Sequence, residues 1–273
     1  MDIGVVSRSF PQLTNEEVAA LLAGSGFKWT ELCFSQTDSN YWRYNGRSDL
    51  SDLTDERSRE IIETYRKYGV EVASIGVFTN LLETDDAELE ENLTYFERHM
   101  QIAALNSVPV VATECGFIPG KRGIQAESYE KDFERLLLQV RWLGERAGHY
   151  GIKLALEPCV LDVVPSAKRT ADFLAQVGSP HVQVLLDPAN LIANNSEEEM
   201  FRYLAPHLAY FHGKDRKVND TYGRCVGDGD IDWAKLLNLY HEHTEGVPFI
   251  LEYVNIQNFC DIRDRVLAFD QSR

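Results

Sequence analysis

The 273-residue sequence is short of positive charge: 27 lysines and arginines stand against 43 aspartates and glutamates, a formal net charge of −16. That deficit speaks against a nucleic-acid partner, because phosphate contacts need clustered basic side chains. Cysteine is scarce too. Its five copies, at positions 33, 115, 159, 225 and 260, are odd in number and show no CxxC-type spacing. A disulfide framework is therefore not expected, and a reducing, cytoplasmic setting is. No stretch reaches the roughly 18 consecutive apolar residues of a membrane span. The segment Met1–Val6 has neither the basic n-region nor the long apolar h-region of a secretory signal. No Gly-rich loop follows the first strand candidate, which disfavours a doubly wound nucleotide-binding sheet.

What is present is an ordinary globular mixture, 44% hydrophobic and 26% charged, able to bury a large core without a staple. Short β-rich runs alternate with helical patterns along the whole chain. The strand candidates are Ile3–Val6, Trp29–Phe34, Val70–Ile75, Ser107–Thr113, Ile152–Leu156, Val182–Leu186, Leu208–Phe211 and Phe249–Leu251. Helices are expected from Thr14, which with Glu17 forms a capping box, and over about 54–68, 86–104, 127–149, 167–177, 197–204, 232–241 and 259–269. Strand–helix alternation implies parallel crossovers. Eight such units without a Pro/Gly/Ser-rich linker predict an α/β fold, one (β/α)8 TIM barrel forming a single domain over residues 1–273.

A barrel carries its chemistry where strands end and βα loops begin. Strand five reads L-A-L-E and ends in Glu157; strand six reads V-L-L-D-P-A-N and ends in Asp187. Strand seven, A-Y-F-H-G-K-D, ends in His212 with Lys214 and Asp215 beyond it; strand eight, F-I-L-E, ends in Glu252. Adjacent strands lie about 4.8 Å apart, so four successive ends can converge. Taken singly, each residue has a structural reading: Asp187-Pro188 is a good helix start, a strand-end Glu is often solvated, and a lone His is often a core hydrogen-bonder. Together, three carboxylates and an imidazole suit Mn²⁺, Mg²⁺, Co²⁺ or Fe²⁺ better than a structural zinc. Clustered carboxylates would also repel one another without a cation.

Glu157, Asp187, His212 and Glu252, with the G-D-G-D-I-D-W stretch of Gly227–Trp233, resemble the xylose isomerase-like TIM barrels. Within these they are similar to the ketose 3-epimerases of the tagatose/psicose type and to the inosose dehydratase/isomerase group. The resemblance spans essentially the whole chain. It implies one divalent metal ion held by Glu157, Asp187, His212 and Glu252, Mn²⁺ first, with Co²⁺, Mg²⁺ or Fe²⁺ as alternatives. It also implies that Glu157 and Glu252 exchange protons with the substrate, and that the chain forms a homo-oligomer. The related endonuclease IV branch adds histidines for a three-metal cluster, whereas Asn190 stands here and Gly227–Asp230 has no Asp-x-His. The 3-epimerases place a histidine just after the strand-six Asp, where this chain has Pro188 and Ala189. The Lys214-Asp215 pair is similar to the H-x-K-D pattern of the inosose dehydratase-like members and keeps a lyase open.

The expected function is a metal-dependent sugar isomerase or epimerase, abstracting a proton next to the carbonyl of a ketose or keto-polyol through an enediolate. A dehydratase on a keto-sugar or keto-inositol is the alternative, and a non-catalytic sugar-binding barrel a distant one. Glu114, Lys214 and Arg224 are the candidate substrate contacts. Phe34, Trp42 and Phe117 are candidates for an apolar wall, and His149, His181, His207, His241 and His243 read as surface or structural. The partner is a small sugar or polyol-ketone, with neither nucleic acid nor membrane involved.

Overall fold

The computed structural model describes residues 1–271. Eight parallel strands pair in sequence order and close: β1 (Ile3–Val6), β2 (Trp29–Leu32), β3 (Glu71–Gly76), β4 (Val110–Glu114), β5 (Lys153–Glu157), β6 (Val182–Leu186), β7 (Leu208–Gly213) and β8 (Phe249–Leu251). Closure comes from β1 beside β8, with Val5 opposite Leu251. The expected (β/α)8 barrel is the observed fold. Around it lie α1 (Asn15–Gly24), α2 (Asp55–Lys67), α3 (Asp86–Leu105), α4 (Tyr129–Tyr150), α5 (Ala167–Val177), α6 (Pro188–Leu191), α7 (Glu197–Leu204), α8 (Trp233–His243) and α9 (Phe259–Gln271). No helix among the described residues is long and apolar enough to cross a membrane.

Local chemistry explains the element ends. Thr14 and Glu17 cap each other at the start of α1, the capping box read from the sequence. Gly151 and Gly178 stop α4 and α5 in the left-handed conformation that a Cβ disfavours. Strand four begins at Val110, after Pro109, because a proline nitrogen has no proton to give a ladder. Strand seven runs on to Gly213, so His212 belongs to the ladder and is held by it.

Period two then sorts the strand side chains into two cores. One face of each strand packs against the helices, as Val111, Leu154, Leu186, Phe211 and Leu251 do. The other face fills the barrel with Val6, Ala73, Val110, Ala112, Ala155, Leu185, Tyr210 and Ile250. Three alanines make room among the larger valine, leucine, isoleucine and tyrosine side chains, because eight strands leave an interior just wide enough for side chains to fill. The plug also sets the site. Two positions beyond Val6, Ala112, Ala155, Leu185, Tyr210 and Ile250, on the same inward face, stand Arg8, Glu114, Glu157, Asp187, His212 and Glu252.

Candidate functional site

The inward positions above the plug bring four sequence-predicted residues together. One ligand atom each from Glu157, Asp187, His212 and Glu252 lies within 4.8 Å of the other three, and all four side chains are buried. Ligand atoms about 2.1 Å from one ion sit about 3 to 4.2 Å apart, so this cluster matches a single ion after a small contraction.

A buried polar atom points the same way. His212 Nδ1 is buried without a hydrogen-bond partner, an arrangement that costs free energy unless something fills it, while Asp187 Oδ2 and Glu252 Oε2 are buried with only Lys214 Nζ against them. His212 Nδ1 faces Glu157 Oε1 at 3.5 Å and Glu252 Oε2 at 3.7 Å. Four buried carboxylates, Glu31, Glu157, Asp187 and Glu252, face two buried basic side chains, Arg8 and Lys214. Negative groups outnumber positive ones even with His212 counted as basic. Three carboxylates and an imidazole at this spacing fit a divalent metal.

Each member is held in a distinct way. Asp187 uses its other oxygen, Oδ1, to cap α6 through the Ala189 N–H at 2.9 Å. The helix-start reading of Asp187-Pro188 is thus correct, and the cap turns Oδ2 towards the cluster. The Asn190 amide donates to Glu157 Oε1 at 2.9 Å, and Arg216 donates to Asn190 Oδ1 at 3.1 Å. His212 Nε2 is bonded to Glu31 Oε2 at 2.9 Å, leaving Nδ1 for the cluster. Glu252 is ion-paired with Arg8, and its Oε2 lies 3.1 Å from Lys214 Nζ.

Charge sets the protonation of the group. Burial pushes the Glu252 carboxyl up, but Lys214, Arg8 and His212 together outweigh it and hold the group well below the usual range. Burial lowers the Lys214 ammonium, yet Asp187, Glu252 and Glu157 keep it charged. Burial also works against the imidazolium of His212, and Glu31 with Glu252 raises it again. Asp187 is pushed up to about 7, first by burial, against the pull of Lys214, with Glu157 and Glu252 adding to the rise.

Glu31 and Arg8 are functional-site residues that sequence reasoning missed. Glu31 is fully buried on β2 and accepts from Tyr210 Oη at 2.5 Å, from His212 at 2.9 Å and from Arg8 at 3.1 Å. A register shift against β3 between Thr30 and Glu31 accompanies its inward aim. Gly76 leaves room for it, since a Cβ there would lie 2.6 Å from Glu31 Oε1. Arg8, just after β1, spans Glu31 and Glu252 and lies over the rings of Trp42 and Phe78 at 5.9 and 5.0 Å.

Above the cluster opens a cavity of ≈ 620 Å³, within the size range of small-molecule sites. Its floor includes Glu157, Lys214 and Glu252; Arg8, Glu114, Trp42, Tyr44, Phe78 and Tyr253 are among its walls. Trp42, Tyr44 and Phe78 form a triangle with ring centroids 6.3 Å apart on every side. The Trp42 indole N–H is buried and unpartnered. Tyr253 has φ 57°, a left-handed bend that turns the chain sharply after Glu252.

Other expected residues sort differently. Glu114 lines the cavity and accepts the Tyr44 hydroxyl at 3.0 Å, with Arg122 3.9 Å away. Lys214 lines it as well, paired with Asp187 and Glu252 and not with Asp215. Arg224 is not among the lining residues; its guanidinium donates to Asp220 at 2.5 Å. Phe34 is buried in the outer core, and Phe117 packs under Arg122 beside a neighbouring cleft. The G-D-G-D-I-D-W stretch is structural. Asp215 gathers the Gly227 N–H at 2.9 Å and the Trp233 indole N–H at 2.8 Å, and a Cβ on Gly229 would collide with it.

A family model described as xylose isomerase-like TIM barrel matches residues 19–270. No curated protein matches the chain. Among solved structures, D-psicose 3-epimerase from Clostridium cellulolyticum H10, in a complex with D-tagatose, is 16% identical with a TM-score of 0.75. The match covers 100% of this chain and 99% of that one. The 3-keto-D-glucoside 4-epimerase YcjR from E. coli is 15% identical with a TM-score of 0.78, over 98% and 99% of the two chains. The IOLI protein, solved with a bound zinc atom, is 15% identical with a TM-score of 0.75, over 100% and 96%. At these identities the likeness establishes the fold.

Proposed function

The chain belongs to the xylose isomerase-like TIM barrel family, and from that premise we propose that it is a divalent-metal-dependent isomerase or epimerase of a ketose or related keto-polyol. The observation that carries this reading is the convergence of one ligand atom each from Glu157, Asp187, His212 and Glu252, all buried, with His212 Nδ1 turned to the carboxylates and unpartnered. These four residues would hold the cation, Mn²⁺ first, with Co²⁺, Mg²⁺ or Fe²⁺ as alternatives. When bound, a divalent cation supplies Lewis-acid polarisation of a substrate carbonyl and stabilises the negative charge that follows deprotonation.

The protein groups do the rest. Glu157 and Glu252 both reach the cavity, from β5 and from the end of β8, so they address a bound sugar from different directions. The ionised glutamate removes the proton beside the carbonyl, and the other, entering the step as the protonated acid, returns a proton to the opposite face or to the adjacent carbon. Asn190 fixes the Glu157 carboxylate with a neutral donor, whereas Arg8 fixes Glu252 with a charged one. Glu114 and Lys214 offer an acceptor and a donor for substrate hydroxyls. The unpartnered Trp42 N–H offers another donor, and the aromatic triangle offers faces for the C–H side of a sugar. A contact from Arg224 would require its Asp220 pair to open.

A lyase is the second reading, favoured by Lys214, a charged donor lining the cavity that can meet the oxygen of a departing hydroxyl.

Incubation with Mn²⁺ and a panel of ketoses and keto-polyols in D₂O tests both readings. Deuterium in recovered sugar of changed configuration supports the isomerase, and net loss of water supports the lyase. Glu157→Gln and Glu252→Gln should each cut exchange by about 10²–10⁴-fold. Exchange at the wild-type rate in either variant would remove the two-carboxylate scheme.

A further inference from the structure

The Lys214 ammonium stands against Asp187 Oδ2 and lies 3.1 Å from Glu252 Oε2. These carboxylates are two of the four groups that converge at the cluster. Lys214 thus satisfies both oxygens by ion pairing. It is an ion-pair contact of the kind a metal would make with the same oxygens, and two cations cannot share them at bonding distance. The Lys214 side chain is 7% exposed and projects from the end of β7, two positions beyond His212 on the inward face. Its stem therefore anchors beside the cluster, while its head has two destinations. One is the carboxylate pair below. The other is the cavity, which Lys214 already lines and where the Tyr253 ring lies 5.2 Å from Nζ.

We propose that Lys214 is a built-in competitor for the divalent cation, holding Asp187 and Glu252 together without metal and yielding its place to metal by swinging towards the Tyr253 ring. The inference rests on the metal-dependent reading above and adds an order to it. Metal entry places the ammonium in the cavity, where it becomes available to a substrate oxygen, so metal binding precedes productive sugar binding. Three observations support the exchange: a shared pair of oxygens, a flexible four-carbon stem, and an aromatic face able to receive the displaced cation.

The same geometry explains how the pocket tolerates clustered carboxylates before metal arrives. Removing one partner of a buried charge pair leaves the other uncompensated. A neutral residue at position 214 should therefore weaken the metal-free protein and strengthen metal binding at once. A purely structural lysine would give the first effect without the second, and a lysine that only contacts substrate would give neither.

The test uses the full-length chain after chelator treatment, with Mn²⁺ alone as the probe. Wild type, Lys214→Met and Lys214→Gln are titrated by calorimetry at one fixed pH, and melting temperatures are recorded with and without saturating Mn²⁺. Both variants are expected to bind Mn²⁺ at least tenfold more tightly than wild type. They should melt lower than wild type without metal, and the gap should narrow when metal is saturating. Reductive methylation of wild-type Lys214, followed by mass spectrometry, supplies a readout that needs no variant. Its rate should rise several-fold when Mn²⁺ is added. Equal or weaker Mn²⁺ affinity in the variants, or a methylation rate insensitive to Mn²⁺, overturns the competition while leaving the metal-dependent reading in place. Failure of wild type and variants alike to bind any of Mn²⁺, Co²⁺, Mg²⁺ or Fe²⁺ overturns both.

Discussion

Glu31 Oε2 and His212 Nε2 lie 2.9 Å apart, both side chains wholly buried, and this one hydrogen bond decides which imidazole nitrogen faces the three carboxylates. A histidine that ligates a metal through one nitrogen commonly gives its other N–H to a carboxylate, which fixes the ring and raises its basicity. Glu31→Gln keeps the shape and removes the charge. Metal affinity is expected to fall about 10–100-fold, read by competition against a chelating dye.

Arg8 joins Glu31 to Glu252 across the barrel mouth. Arg8→Met preserves much of the packing on Trp42 and Phe78 but leaves Glu31 with His212 alone and Glu252 with Lys214 and His212. A loss of about 3–5 kcal/mol is expected from breaking a buried pair on one side, measured by urea unfolding of the two proteins. A loss within experimental error would show that solvent compensates both carboxylates.

The rim has its own fastening. The Tyr44 hydroxyl, on the long connection between β2 and α2, reaches Glu114 at the end of β4 and lies 3.5 Å from Arg122. Tyr44→Phe removes a hydrogen bond of about 0.5–1.5 kcal/mol. Where the loop covers substrate, KM should rise roughly 2- to 10-fold, the equivalent of that energy, with kcat little changed.

Stability should depend on pH through a group remote from the cluster. His99 on α3 is buried, its Nδ1 bonded to the Tyr95 carbonyl at 2.9 Å, and burial lowers its pKa to about 4. An unfolded histidine titrates near ~6.5, so between that value and about 4 the unfolded chain binds the extra proton. Stability is then complete above the unfolded value and declines as pH falls through the window. Unfolding free energies at pH 7 and pH 5 should differ by about 2 kcal/mol more in wild type than in His99→Gln.

Much of the site was legible because strand ends announce themselves. Glu157, Asp187, His212 and Glu252 each follow an apolar run, and the barrel puts such positions in one mouth. Glu31 escaped notice because W-T-E-L reads as a strand with one solvated face. In a parallel barrel both faces are buried, so a glutamate two positions from the inward Trp29 was itself the signal. Arg8 lies in S-R-S and reads as loop until period two is carried past Val6. The roles of Gly227–Trp233 could not be read, because the attachment of that stretch to Asp215 spans a loop whose path no local pattern dictates. Arg224 failed to reach the cavity for the same reason. It sits on that loop and not on a strand.

The inward face divides the barrel into unlike halves. Strands β5 to β8 supply the quartet Glu157, Asp187, His212 and Glu252, while the mouth above β1 to β4 supplies Pro11, Trp42, Tyr44, Phe78 and Glu114. Most of the cavity wall and the four clustered side chains thus come from different stretches of chain, with Lys214, Tyr253 and Val254 of the later half also in the wall, and Arg8 and Glu31 join the two. Inheritance can act on the halves separately. Substitutions confined to the first 120 or so residues can re-address the protein to a new molecule while the later strands stay as they are, provided Arg8 and Glu31 are carried along.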